Sequence, residues 1–204
     1  GRQRAQALFD EVDQPRREQH RAGEAPQAAL VGEHPGLVGG EQQLAQRQRV
    51  AGRDAAQLAD GQRVDRAMVR EAIDDPSRTV LVATDGAGPH TDDGGGSIVA
   101  CCELTGPDSA GTSVLGMFAV DPLRQGSGLG RRVLDAGESF AAERGASALE
   151  LHVIDVRVEL IDWYRRRGYV VTDERHPFPY GDERFGLPRR DDLQFAVLRK
   201  ELTP

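Results

Sequence analysis

The sequence predicts an α/β fold of the α+β kind, one sheet flanked by helices. Apolar runs of strand length recur from Thr79 onward, and segments of helical periodicity stand between them. A glycine-rich turn, Gln125–Gly130, joins the strand Ser113–Val120 to the longest helical stretch. This succession of strand, glycine turn and helix is the unit around which the chain is organised.

Residues 1–56 stand apart from the rest of the chain. They hold nine Gln, no Ile, Tyr or Trp, and a single Phe, Phe9. Such a composition buries too little apolar surface to offset the entropy of ordering. The segment is therefore expected to be atypical and poorly ordered, with the folded domain spanning 57–204. Arg63–Ile73 suits a helix, with Ala67, Met68, Val69 and Ile73 apolar, and Asp74-Asp75-Pro76 ends it. Thr79–Ala83 and Ile98–Leu104 read as strands joined by an acidic, glycine-rich loop, Asp85–Ser97. After a turn, Ser113–Val120 is a strand that Pro122 stops, because proline has no N–H to give a ladder.

The helix after the glycine turn carries Leu129, Val133, Phe140 and Ala141 on one stripe, and Gly145 stands where a C-terminal glycine belongs. Leu149–Ile154 reads as a buried strand, 157–168 as a short helix closed by Gly168, and 169–172 as a further strand. Asp173–Asp192 is expected as a long loop. Its Phe178, Tyr180, Phe185, Asp182 and Glu183 either wall a cleft for an amine or cover the sheet edge. Leu193, Phe195, Val197 and Arg199 alternate along a last strand, Leu193–Leu202.

The net charge is −7, and residues 57–204 carry all of it, with 18 Arg and Lys against 25 Asp and Glu. That balance argues against a nucleic-acid partner and mildly favours a cationic substrate. No apolar stretch is long enough to span a bilayer and no signal peptide opens the chain, so a cytoplasmic protein without a membrane partner is expected. Cys101 and Cys102 are adjacent and point to opposite faces of a strand. Neither a disulfide between them nor a metal site is expected.

The glycine turn has its own chemistry. Glycine lets the backbone approach a ligand, and the first N–H groups of a helix have no partner inside it. With the helix dipole, they make a site for phosphate. A P-loop would need Lys-Ser/Thr after its last glycine, and Arg131-Arg132 stands there instead. The dinucleotide fingerprint is disfavoured too, because Gly126, Gly128 and Gly130 run G-x-G-x-G.

What the segment does resemble is the acetyl-CoA-binding motif of the GNAT N-acetyltransferases, Gln/Arg-x-x-Gly-x-Gly/Ala, through Gln125, Gly128 and Gly130. Downstream, Tyr164, Gly168 and Tyr169 match the family's next motif, a helix with a tyrosine four residues before a glycine-aromatic pair. The resemblance implies a central mixed, mostly antiparallel twisted sheet flanked by helices, with strands splayed at the acetyl-CoA site. It implies acetyl-CoA as co-substrate, no metal, and a primary amine of a small molecule or peptide as acceptor.

Site residues come from the same resemblance. Phe118 and Val120 would hydrogen-bond the pantetheine arm through their backbone. Gln125, Gly126, Ser127, Gly128, Leu129, Gly130 and Arg131 would hold the pyrophosphate. Tyr164 would be the general acid that protonates the CoA sulfur. Glu103, Asp121, Glu150 and His152 are candidates for the general base by type only, and Arg157 stands where many relatives have an asparagine. The alternative is a catalytically weak acyl-CoA-binding regulatory module. The core from Gln57 would leave a sheet edge for a second copy, as a homodimer, or the loop 173–192 to cover.

Overall fold

The computed structural model describes residues 59–60, 66–85, 97–182 and 187–203. The expectation for residues 1–56 lies outside the described residues, as do most of the Asp85–Ser97 loop, Glu183 and Phe185. In chain order the elements are β1 (Ala59–Asp60), α1 (Arg66–Asp74), β2 (Arg78–Thr84), β3 (Ile98–Thr105), β4 (Thr112–Val120), α2 (Leu129–Glu143), β5 (Ala148–Ile154), α3 (Val158–Arg165), β6 (Val170–Pro177), β7 (Leu187–Pro188) and β8 (Gln194–Glu201). A single 3-10 turn, Pro122–Arg124, stands between β4 and α2.

Six strands form one open sheet in the order β2-β3-β4-β5-β8-β6. Every neighbouring pair is antiparallel except β4 with β5. A parallel pair needs a crossover of a dozen or more residues, and α2 supplies it. The sheet is thus the mixed, mostly antiparallel one that the sequence motifs imply. Two short strands, β1 and β7, pair separately. No helix among the described residues is long and apolar enough to cross a membrane.

Helices cover the sheet on both faces. Leu115, Val133, Leu134, Leu149, Leu151 and Leu198 join the core between the sheet and α2 and α3. On the other face Val69 of α1 packs on Val82, Ile98, Cys101 and Ala119. Cys101 and Cys102 fall into different cores, as adjacent strand residues must.

One expectation needs correction. The loop set at 173–192 begins only after Pro177, because β6 pairs with β8 as far as Pro177↔Gln194. β6 is an edge strand with residues 173–175 exposed, so it shows no apolar alternation. A bulge between Val171 and Arg175 also breaks its period. Phe178, just beyond, is buried and stacks on Phe195 with ring centroids 5.7 Å apart. Tyr180 packs edge-on against Phe178, and its hydroxyl accepts the Leu193 N–H at 2.7 Å. The described start of the loop therefore covers the sheet.

Inside β3, Glu103 is 6% exposed, and Arg78 grips it with two bonds of 2.7 Å, Nε to Oε1 and Nη2 to Oε2. Removing one partner of such a pair strands a buried charge, whereas replacing both with apolar groups does not. Urea denaturation should show Arg78→Met losing about 3 kcal/mol, with R78M/E103L regaining most of it. Equal losses in the single and double variants would contradict this account of the pair.

Candidate functional site

β4 and β5 pair only from Thr112↔Ala148 to Leu115↔Leu151. Beyond those residues β4 runs on to Val120 and β5 to Ile154, and the two diverge into a cleft. The cause lies on the β3 side of β4. Cys101 pairs with Ala119 and Glu103 with Gly116, so Met117 and Phe118 share one partner position. Met117 takes up this bulge with a φ of 44°, unusual for a non-glycine residue. A bulge bends its strand and sharpens the local twist, which carries the second half of β4 away from β5. The Asp121 N–H bonds to the Val99 carbonyl at 2.8 Å. Alternation along an antiparallel ladder then turns the Val120 N–H and C=O toward the cleft.

The cleft leads to the glycine turn. The Asp121 carboxylate accepts the Leu123 N–H at 3.0 Å, and the Ser127 hydroxyl donates to the Arg124 carbonyl at 2.6 Å. Gly126 and Gly128 have φ of 81° and 84°, which favour glycine. Gln125, Gly126, Ser127 and Gly128 are exposed, while Leu129 is buried and anchors the helix. Gly128 caps α2 with no side-chain bond, and no acidic residue stands in the first turn. Among the described residues nothing caps the first N–H groups of α2, which stand at the positive end of the helix dipole. Arg131 is exposed, and its Nε lies 3.5 Å from Asp135.

Gly130 is where α3 meets this turn. A Cβ there would sit 3.4 Å from Val120 Cγ2, 3.8 Å from Trp163 Cζ2 and 3.9 Å from Phe118 Cζ. Behind it four rings pack together. The ring centroids of Phe118 and Trp163 are 6.1 Å apart, those of Phe118 and Tyr164 6.4 Å, and those of Tyr164 and Tyr169 5.6 Å. The Arg167 guanidinium lies 3.5 Å above the Trp163 ring and donates to the Trp163 carbonyl at 2.7 Å. Tyr164 is 4% exposed. Burial raises its pKa, with Arg157 and Arg167 pulling the other way. Arg157 occupies the N-cap of α3 without a side-chain cap bond.

The four base candidates now differ. Glu103 is held by Arg78, Asp121 is buried and caps the turn, and the Glu150 carboxylate lies 3.5 Å from Arg199. Among the described residues His152 has no such engagement; it meets the ring of His176 instead. Sequence reasoning passed over Trp163, Arg167 and His176. Trp163 and Arg167 carried a usable signal, an aromatic and a cation one turn apart beside Tyr164. His176 carried none, because only the β5-β8-β6 order brings it to His152.

The family described as Acetyltransferase (GNAT) family matches residues 51–169. Nourseothricin acetyltransferase shares 25% identity over 64% of this chain and 68% of its own, with a TM-score of 0.50. The ribosomal-protein-S18-alanine N-acetyltransferase from Escherichia coli is 16% identical over 86% and 94%, with a TM-score of 0.58. An acetyltransferase of the GNAT family from Staphylococcus aureus is 14% identical over 86% and 99%, also with a TM-score of 0.58. The last two likenesses speak to the fold. No curated protein matches the chain by sequence.

The two motif glycines have different reasons to be glycine, and denaturant melts should separate them. At Gly130 a methyl group meets only ordinary contacts, so Gly130→Ala should stay within about 0.5 kcal/mol of the parent. At Gly128 there is open space but a left-handed backbone, so Gly128→Ala should cost about 1–2 kcal/mol. The reverse order would contradict this geometry.

Proposed function

The chain belongs to the GNAT acetyltransferase family, and we propose that it transfers the acetyl group of acetyl-CoA to a primary amine of a small molecule or peptide by direct attack. One observation carries the reading. The cleft between β4 and β5 runs into an uncapped, glycine-built helix start, which matches in shape and charge a thioester arm ending in phosphates. The catalytic domain in this reading is 57–204, working in the cytoplasm and without a metal.

The roles divide along the cleft. Backbone N–H groups over 126–131 hold the pyrophosphate, with Gln125 and Ser127 at its edge and Arg131 adding charge. Leu129 and Gly130 fix the turn against Val120 and Trp163. The backbone of Phe118 and Val120 binds the pantetheine arm. An N–H of this stretch polarises the acetyl carbonyl, so charge developing on oxygen meets a donor already in place. Likeness to nourseothricin acetyltransferase supports a small-molecule acceptor.

Tyr164 serves the leaving group. Its raised pKa keeps the phenol protonated at neutral pH. A thiol such as that of CoA titrates near ~8.5, so full proton transfer from the phenol to the thiolate runs uphill. The hydroxyl therefore acts by donating a hydrogen bond to sulfur as the C–S bond breaks. The burial that raises its pKa also excludes the water that would weaken such a bond.

Two variants test the division. Gly128→Asp places a carboxylate at the phosphates, and calorimetry should show CoA affinity falling at least about 100-fold with the fold kept. Unchanged affinity would sink the phosphate assignment. Tyr164→Phe removes only the hydroxyl, so turnover should fall about 10–100-fold while CoA affinity moves less than about threefold. Equal turnover across a pH series would remove Tyr164 from the mechanism. Acetyl-CoA binding without CoA release from any amine would leave a binding module instead of an enzyme.

A further inference from the structure

We propose that His152 is the base of the transfer, taking a proton from the acceptor ammonium at the mouth of the β4–β5 cleft, with His176 as a positioning residue that holds its ring. The proposal rests on the acetyl-transfer reading above. Three observations assign this role.

The first is place along the strand. Leu151 is the last β5 residue paired with β4, so His152 is the first residue on the open stretch of β5. The second is the face it occupies. Leu149, Leu151 and Val153 lie in the same core as Tyr164, and strand alternation puts His152 on the opposite face. Tyr164 and His152 thus approach the cleft from its two sides. A leaving sulfur and an incoming amine need separate proton partners, and this arrangement keeps them apart.

The third is the local chemistry. The His152 and His176 rings lie 4.8 Å apart, inclined at 45°. Glu174 Oε1 is 3.2 Å from His176 Nε2 and fixes that second ring from β6. On β8, Val197 is directly opposite His152 and 1% exposed, so the apolar strand beneath is covered where the rings meet. Glu150 on the same face of β5 is paired to Arg199 of β8. His152 is exposed at its surface, yet partial desolvation lowers its pKa and His176 lowers it further, while Glu150 and Glu174 oppose both. The net effect is downward from the ordinary His value, so the imidazole is neutral at neutral pH and able to accept a proton.

The transfer balances in atoms and protons. His152 removes one proton from the ammonium, freeing a lone pair that attacks the thioester carbon. The C–N bond forms, and the carbonyl oxygen carries the negative charge against the β4 backbone. As the oxyanion collapses, the C–S bond breaks and the electron pair leaves on sulfur. The nitrogen's second proton passes to the leaving sulfur, which the Tyr164 hydroxyl stabilises by a hydrogen bond and does not itself protonate. The products are the N-acetyl amide, CoA thiol and a proton that His152 returns to water.

The test uses the full chain with acetyl-CoA and the amine that the parent protein turns over fastest, from about pH 5.5 to 9.5. For His152→Gln, kcat/KM should fall about 100- to 1,000-fold and the acid limb of the profile should vanish, with CoA affinity by calorimetry within about twofold. Added imidazole should restore part of the turnover of His152→Ala. For His176→Gln, the acid limb should move to higher pH, toward the ordinary His value near ~6.5, because the neighbour that depresses His152 is gone. A purely structural His176 would leave that midpoint in place and overturn its positioning role. An H152Q variant that keeps parental kcat/KM and the acid limb would overturn the base assignment while acetyl transfer stood. A parent protein that neither binds acetyl-CoA nor releases CoA would overturn both.

Discussion

The parallel ladder between β4 and β5 is four residue pairs long, and the chemistry of this protein depends on where it stops. Buried backbone N–H and C=O groups must find partners. Closing the ladder to Val120 would satisfy them and leave no room for a substrate. The bulge at Met117 and Phe118 prevents that closure by spending an extra residue on the β3 side. What remains is a strand edge inside the sheet, paired on one side and open on the other. An amide-bearing arm such as pantetheine can complete it.

The surroundings of the opening keep it from collapsing. On the helix side, Phe118, Trp163, Tyr164 and Tyr169 form a packed aromatic wall, and Arg167 lies over Trp163. The Tyr169 hydroxyl donates to Glu138 of α2 at 3.1 Å, and Lys200 of β8 bonds the same carboxylate. These contacts tie α2, α3 and β8 into one support behind the cleft. On the opposite face, among the described residues, α1 packs over β2–β4, while His152, His176 and the Phe178 cluster lie over the β5–β8–β6 region.

How much of this could be read from the sequence depends on the range of each signal. The β4–turn–α2 unit was legible because Val120, Pro122, Gln125, Gly128 and Gly130 act within ten residues of one another, through turn chemistry and helix capping. Tyr164 was legible for the same reason, from its fixed distance to Gly168, whose φ of 90° ends the helix region. The extent of β6 was not legible, since an exposed edge strand interrupted by a bulge loses the period-2 pattern that marks a strand. The bulge at Met117 has no residue signature, because a methionine in the left-handed region is imposed by tertiary packing. The His152–His176 contact is invisible for a third reason: the two residues lie on strands separated by β8, and only topology joins them.

The central claim is that the open edge of β4 and the start of α2 are filled by one ligand. Residue-resolved amide hydrogen exchange with and without a non-reactive acetyl-CoA analogue tests it most directly. The Val120 amide and those of Leu129, Gly130 and Arg131 should slow together on addition of the analogue, because the ligand gives each an acceptor and shields it from solvent. Slowing confined to other parts of the chain, or at the helix start without Val120, would contradict it.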